Sequence, residues 1–207
     1  MDYDHLPTYD RLQKTIGVLL RNGVNVTLQE TREFALEELK KLIPPGARLM
    51  TGASVTLEQI GFIPFLMGGQ HPWKYLKAEI LEEEDPEQRA SLRRQAAMAD
   101  FYVGSVQGIA ETGEILIASA TGSQLPAYAY SSPNVIWVTG TQKIVPDLDA
   151  AIRRVREYVF PREDTHMKQL YGPGSSSLIG KILIFERESP LVQRKIHLIL
   201  INEVLGF

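Results

Sequence analysis

Apolar positions in the first fifty residues alternate between helical and strand spacing. Four leucine and isoleucine side chains within residues 8–21 are spaced i, i+4, i+7 and i+8, which predicts a helix. The segment VNVTL at 24–28 predicts a short strand, and residues 31–43 predict a second helix that stops at two prolines and a glycine. A further strand is predicted at 47–50. This helix–strand–helix–strand order favours an α/β fold with a parallel sheet.

The middle of the chain continues this alternation. A charged helix is predicted to begin at Pro86, and strands are predicted at 101–106 and 114–119 with QGIAETG as a loop between them. Residues 134–140 form a continuous apolar run, which is typical of a strand buried on both faces. The apolar spacing in PDLDAAIRRVREYV predicts another helix.

The C-terminal part changes character. YGPGSSS predicts a flexible loop, and KILIFE and KIHLILI predict two strands whose short connection favours an antiparallel pair. We therefore expect a single domain over residues 1–207, with an N-terminal extension at 1–11 and a C-terminal loop and β-hairpin at 172–207. The predicted fold class is α/β, a mostly parallel open sheet with flanking helices and a late β-hairpin.

Composition and charge exclude several classes of function. The 44% hydrophobic and 23% charged residues are those of an ordinary globular protein, and a net charge of −3 gives no support for a nucleic-acid partner. The absence of cysteine excludes disulfides, a thiol nucleophile and an iron–sulfur cluster held by this chain's own thiolates. No apolar run approaches the ~20 residues of a membrane span, and the polar N-terminus does not resemble a signal peptide. We therefore expect a cytoplasmic protein with no membrane partner.

A loop of small and hydroxyl residues follows the predicted strand at 47–50. Gly52 permits close backbone approach, and Thr51, Ser54 and Thr56 supply hydroxyl groups at a helix start, where N–H groups attract anions. Ligands of open α/β sheets bind at this carboxyl edge. The alternative is an ordinary N-cap. Because neither GxGxxG nor GxxxxGK[ST] occurs, a nucleotide phosphate loop is not expected.

Residues 108–122, GIAETGEILIASATG, place Glu111 and Glu114 among small and apolar residues. A loop carboxylate in such surroundings tends to have a raised pKa, which suits a general base or a nucleophile. Glu111 precedes Thr112 and Gly113, where the backbone is expected to turn, whereas Glu114 begins a strand and can face solvent. The alternative for Glu111 is a structural carboxylate that is bonded to loop amides or to a lysine.

Two further segments complete the candidate site. Lys143 follows Gly140 at the end of the buried apolar strand, where it can meet an anion or the Glu111 carboxylate; the alternative is an exposed lysine. The segment GPGSSS contributes Ser175 and Ser176 as a lid or an anion-binding loop, and the alternative is a flexible linker. The histidines show neither HxxH nor HExxH spacing, so no metal site is expected.

Four motifs occur in the order GASVTLEQIG, GIAETGEILIASATG, NVIWVTGTQKIV and IHLILINEVLGF. This order resembles the LUD domain family, the lactate-utilisation C family once classed as a domain of unknown function, from about Leu12 to the C-terminus. The resemblance implies a fold similar to ribose-5-phosphate isomerase, glucosamine-6-phosphate deaminase and CoA-transferases, whose strand-end loops bind phosphorylated sugars or CoA esters. AETG at 110–113 is similar to the CoA-transferase turn whose glutamate is acylated, which implies that role for Glu111.

Three functions remain open. The resemblance implies a cluster-free accessory or small-molecule-binding component of lactate and organic-acid metabolism that works with separate iron–sulfur proteins, and we favour this function. The second is an acyl- or CoA-transferase-like or sugar-phosphate isomerase-like enzyme that uses Glu111 and Lys143. The third is a non-catalytic ligand sensor. Gly122-Ser123-Gln124 stands where relatives carry Gly-Asn-Arg, which weakens a phosphate or carboxylate site there. The apolar strands are compatible with a homodimer.

Overall fold

Two β-sheets share one apolar core in the computed structural model, which describes residues 3–207. The helices are α1 (Tyr9–Arg21), α2 (Arg32–Leu42), α3 (Val55–Gln59), α4 (Phe62–Met67), α5 (Leu76–Glu82), α6 (Pro86–Gln95), α7 (Leu148–Arg154) and α8 (Phe160–Tyr171). The strands are β1 (Val24–Gln29), β2 (Arg48–Thr51), β3 (Lys74–Tyr75), β4 (Phe101–Gly104), β5 (Gly108–Ala110), β6 (Ile115–Ser119), β7 (Asn134–Gly140), β8 (Ile144–Val145), β9 (Lys181–Phe185) and β10 (Lys195–Ile201).

The first sheet is parallel throughout, with the strand order β1-β10-β7-β4-β2-β3. Strand β10 lies in register between β1 and β7, and both of its faces are buried. Leu198 and Leu200 belong to the core shared with the second sheet, whereas Ile199 and Ile201 pack with the helices on the opposite face. Burial on both faces is the physical reason for the continuous apolar run KIHLILI.

The second sheet is mixed, with the order β8-β5-β6-β9. Strand β5 pairs parallel with β8 and antiparallel with β6, and β6 pairs antiparallel with β9. Its outer face carries Leu116, against which Ala150, Ala151 and Val155 pack from α7 and the turn that follows it. The layers are therefore α2–α4, the first sheet, the second sheet together with α1, and α7.

These observations confirm the predicted α/β class and the mostly parallel sheet with flanking helices, but the predicted C-terminal hairpin is wrong. Strand β9 pairs with β6 in the second sheet, whereas β10 is a central strand of the first sheet. The connection 186–194 carries the chain between the sheets, and Arg194 anchors it by donating to Ser132 O and to three carbonyls of residues 127–129. A hairpin at an edge would have left one apolar face of β10 exposed.

Other predicted elements agree with the structure within a few residues, with two exceptions. The loop predicted at 107–113 contains strand β5, and Glu111–Gly113 is the tight turn of the β5–β6 hairpin. The helix predicted at 146–159 continues to Tyr171, because a wide π-type turn at Val155–Val159 admits Pro161 into the first turn of α8.

The N-terminal segment packs onto the second-sheet side of the molecule. Of the predicted extension at 1–11, residues 1 and 2 lie outside the described range, and α1 begins at Tyr9. Tyr3 is buried, with its ring 5.1 Å from that of Tyr158. Across residues 3–207, none of the helices has both the length and the apolar character that a bilayer crossing requires.

The central position of β10 predicts a large cost for truncating its side chains. We expect Leu198→Ala, at a fully buried position, to lower the free energy of unfolding by about 2–5 kcal/mol in denaturant titration, because it opens a cavity between the sheets. The matched change Ile184→Ala, on strand β9 at 39% exposure, is expected to cost less than about 1 kcal/mol. Equal losses would contradict the assignment of β10 to the sheet centre.

Candidate functional site

A cavity of about 360 Å³ lies between the two sheets. Met50, Thr51 and Tyr102 line it from β2 and β4, and Ala118 and Ser119 line it from β6. Side chains of α5, α6 and the π-type turn before α8 close its other sides. This volume falls within the range of about 300–1,000 Å³ of small-molecule pockets in proteins. We refer to this space as the cavity.

Two glutamine side chains present amide donors at the cavity. Gln107 Oε1 accepts a hydrogen bond from Ala118 N at 3.0 Å, and Gln124 Oε1 accepts one from Ser119 Oγ at 3.0 Å. With both amide oxygens occupied, the two NH₂ groups remain as donors for a ligand. These two hydrogen bonds fix the glutamine side chains through their oxygens and leave the NH₂ groups available to a ligand.

The basic and acidic side chains of the described lining are Lys77, Arg93 and Glu163, and the Tyr102 phenol lines the cavity as well. Burial lowers the pKa of Lys77, against the opposing charge of Glu58, and burial raises the pKa of Glu163, against the opposing charge of His166. In the part of the chain that the structure describes, neither Lys77 nor Arg93 forms an ion pair. Burial disfavours the charged forms of both Lys77 and Glu163, whereas an arginine side chain stays charged in proteins, so the lining carries more positive than negative charge and favours an anion.

Two further cations are buried behind the cavity wall. Lys143 Nζ donates to Val106 O at 3.1 Å, and the Arg154 guanidinium donates to Gln107 O. Both side chains are almost fully buried, and burial lowers the pKa of Lys143 well below its usual value and that of Arg154 to about 10. Since Gln107 lines the cavity, Arg154 lies directly behind a residue that a ligand would contact, whereas Val106, the partner of Lys143, is not part of the lining.

The Lys143 amine is enclosed by hydroxyl groups and by the C-terminal segment. Its Nζ lies 3.3 Å from Thr56 Oγ1 and 3.4 Å from Ser105 Oγ. Gly206, at φ +60°, closes this pocket: a Cβ there would lie 2.3 Å from Thr56 Oγ1 and 3.2 Å from Lys143 Nζ. Only glycine lets the backbone approach this closely. Thr56 and Lys143 are therefore hydrogen-bonded to each other inside the core, and neither lines the cavity.

Glu111 lies apart from the cavity. Its carboxylate accepts hydrogen bonds from Arg11 Nε at 2.8 Å and from Arg11 Nη2 at 2.5 Å. Glu111 therefore forms an ion pair with Arg11 of α1, and not with Lys143. The following turn needs glycine at 113, because its φ is +111° and a Cβ would lie 2.4 Å from Asn22 Nδ2. This environment corresponds to the structural alternative for the carboxylate.

The remaining predicted site residues are divided between the cavity and other roles. Thr51 and Gly52 line the cavity, whereas Ser54 caps α3 by accepting from Leu57 N at 3.2 Å. Gly140 lies against the backbone of residues 203–205. Within the loop at 172–180, residues 177–179 line the cavity, whereas the predicted Ser175 and Ser176 lie outside the lining.

The profile of the LUD domain family matches residues 12–201. The chain belongs to the LUD domain family. A DUF162 family protein from Deinococcus radiodurans, known from a 1.70 Å crystal structure, superposes with a TM-score of 0.59 at 15% identity, covering 95% of this chain and 99% of that chain. No curated protein sequence matches this one. The LUD assignment confirms the resemblance and supports a lactate-utilisation-like protein in general terms.

Sequence reasoning missed most of the residues that line the cavity of this LUD protein. Lys77, Arg93 and Glu163 are charged residues on three different helices, and nothing beside them in the sequence marks them as ligand-binding. The one available signal was the departure at Gly122-Ser123-Gln124, since Ser123 and Gln124 both line the cavity. Arg93 lines the same space, so a guanidinium is present there although residue 124 is glutamine.

The buried amine predicts a specific pH dependence of stability. A lysine whose pKa is lowered in the folded state destabilises the fold below that pKa, and the penalty disappears as the pH rises towards the unfolded value near 10.5. The free energy of unfolding of the wild type, measured relative to Lys143→Met, should therefore increase between pH 7 and pH 10, by at most about 1.4 kcal/mol per pH unit. The exposed Lys14→Met variant serves as the control and should show no such slope. If the difference in free energy of unfolding between the wild type and Lys143→Met does not change with pH, the Lys143 amine is not buried as described.

Proposed function

We propose that this LUD protein is a cluster-free, small-molecule-binding component of organic-acid metabolism, and that its ligand is an organic acid bound in the cavity. The observation that supports this proposal is the excess of donors over acceptors in the lining. Lys77, Arg93, Gln107 and Gln124 offer cationic or amide N–H groups, and Glu163 carries the one carboxylate side chain in the lining that the structure describes. A carboxylate ligand would satisfy these donors.

The chemistry of the lining fits a hydroxy or oxo acid. Arginine and lysine bind a carboxylate through charge-assisted hydrogen bonds. Because burial raises the pKa of Glu163, this side chain can accept from a ligand hydroxyl when ionised or donate to a carbonyl when protonated. The Arg154 guanidinium adds positive potential from behind the wall. These features support the same ligand class that the family name suggests.

The absence of cysteine indicates that any iron–sulfur cluster needed with this chain would belong to a separate protein. Oxidation of a hydroxy acid needs an electron acceptor, and this chain has no thiolates to hold an iron–sulfur cluster. We infer that it acts beside separate iron–sulfur proteins as a binding or accessory component. A homodimer, a cytoplasmic location and a similarity to the CoA-transferase and ribose-5-phosphate isomerase folds remain predictions.

The alternative enzyme mechanism requires a reactive Glu111 at the ligand. The Glu111 carboxylate is paired with Arg11 and does not line the cavity, so the geometry supports binding in the cavity over acyl transfer at Glu111. A ligand sensor would use the same cavity without chemistry. Turnover assays on the purified protein distinguish the enzyme from the two non-catalytic functions.

A thermal-shift series tests the proposed ligand class. Lactate, pyruvate and 2-hydroxybutyrate should stabilise the protein, by about 2.7 kcal/mol at ~100 times the dissociation constant, whereas ribose 5-phosphate and acetyl-CoA should not. We expect Arg93→Met and Lys77→Met each to weaken acid binding roughly 10-fold to 100-fold, because each removes a charge-assisted hydrogen bond. Arg156→Met, at an exposed position outside the cavity, is the matched control. If no organic acid stabilises the wild type, the proposal fails.

A Glu111→Gln variant separates the structural role of this residue from a catalytic one. The change removes the ion pair with Arg11. Because the Glu111 side chain is 27% exposed and the Arg11 side chain is 42% exposed, the free energy of unfolding should fall by less than about 1 kcal/mol. The dissociation constant for lactate, measured by calorimetry, should stay at the wild-type value. A large loss of acid binding with intact stability would instead place Glu111 in the functional site.

A further inference from the structure

A second concave surface adjoins the cavity. It has a volume of about 360 Å³ and includes Ala97, Met98, Pro126 and Ser131 together with residues of α6. We call this surface the groove. Arg93 and Ser123 line both the cavity and the groove, so the two spaces meet at these side chains.

The groove offers mainly apolar contacts. Ala97 and Pro126 present hydrocarbon, and Met98 is 59% exposed. Ser131 Oγ donates to Ala97 O at 2.5 Å, so its proton is already engaged. Methionine is flexible and polarisable and adapts to varied apolar groups. The groove therefore suits the hydrocarbon part of a molecule better than a charged group.

The side chain at the junction links the two environments. An arginine presents a charged head and an apolar stem to different neighbours. With Arg93 in both linings, a carboxylate bound at its guanidinium lies at the meeting point of the cavity and the groove. A hydrocarbon chain attached to that carboxylate would then extend directly over Met98 and Pro126.

The available volume also exceeds the needs of a three-carbon acid. The cavity volume of about 360 Å³ lies within the range of about 300–1,000 Å³ found for pockets of drug-sized ligands, which are larger than lactate. Lactate would fill only part of this space, and the groove adds an equal volume. The dimensions therefore favour a longer ligand.

We propose that the groove binds the hydrocarbon chain of an organic acid whose carboxylate lies in the cavity, so that the preferred ligand is a medium-chain hydroxy acid and not lactate itself. The inference rests on the proposed function and specifies its substrate class. Arg93 orients the acid at the junction, and Met98 provides the exposed apolar surface that the chain covers.

Calorimetric titration with a homologous series tests this inference. The ligands are lactate, 2-hydroxybutyrate, 2-hydroxyhexanoate and 2-hydroxyoctanoate, each added to the full chain. Every methylene that enters the groove should tighten binding by about threefold to fourfold, since burial of apolar surface supplies the gain. We expect the dissociation constant to decrease along the series.

A matched pair of surface variants locates the effect in the groove. Met98→Asp places a charge on the apolar surface and should abolish the gain from chain length, read as the ratio of the dissociation constants for lactate and 2-hydroxyoctanoate within the same variant. Met67→Asp is the control, because Met67 is 60% exposed at the end of α4 and lines neither the cavity nor the groove. It should retain the full dependence on chain length.

The outcomes separate this inference from the proposed function. If lactate and the longer acids bind the wild type equally well, the groove does not take the chain and the inference fails, while the binding function stands. Equal effects of Met98→Asp and Met67→Asp would also overturn the groove assignment. If none of the acids binds the wild type, both the inference and the proposed function are overturned.

Discussion

Two buried cations hold the chain at the point where it passes from the first sheet to the second. Lys143 and Arg154 donate to the carbonyls of Val106 and Gln107, which connect β4 to β5. A buried carbonyl without a donor is costly, and so is a buried charge without a hydrogen bond. Each side chain therefore satisfies a backbone carbonyl in this connection, although Arg154 Nε and Nη2 are buried with no hydrogen-bond partner among the described residues.

The cavity depends on the same arrangement. Gln107 is both the anchored backbone position and a cavity-lining side chain, so the contact that joins the sheets also positions an amide donor. The Arg154 guanidinium behind it lies over the rings of Tyr3 and Tyr158 and interacts electrostatically with Asp4. Structural cations of this kind bias the adjacent space towards anions. In this protein, the requirements of the fold and the electrostatics of the candidate site point in the same direction.

The C-terminal part shows where local pattern misleads. Strands β9 and β10 follow each other closely along the chain, and a short connection ordinarily favours a hairpin. The deciding property is instead that β10 is apolar on both faces, which only a central position can bury. The same pattern identified β7 correctly as a buried strand, because no competing turn signal lay beside it.

Glu111 illustrates a different limit. Its sequence neighbours predicted a sharp turn, and the structure has that turn, but the partner of the carboxylate comes from a helix a hundred residues earlier in the chain. The same applies to Arg93, Lys77 and Glu163, whose surroundings in sequence are those of ordinary surface helices. Charged groups in isolation carry no sign of which cavity they will face.

The sequence by itself determined the α/β class, most helix and strand positions, the family and the absence of thiol chemistry, because hydrophobic periodicity, turn residues and composition act locally. Only the tertiary structure decided the strand order, the burial of Lys143 and Arg154, and the cavity with its excess of donors. Those features arise when segments far apart in the chain meet, and the free energy that selects their pairing comes mainly from burying both faces of a strand while most buried backbone groups find hydrogen-bond partners.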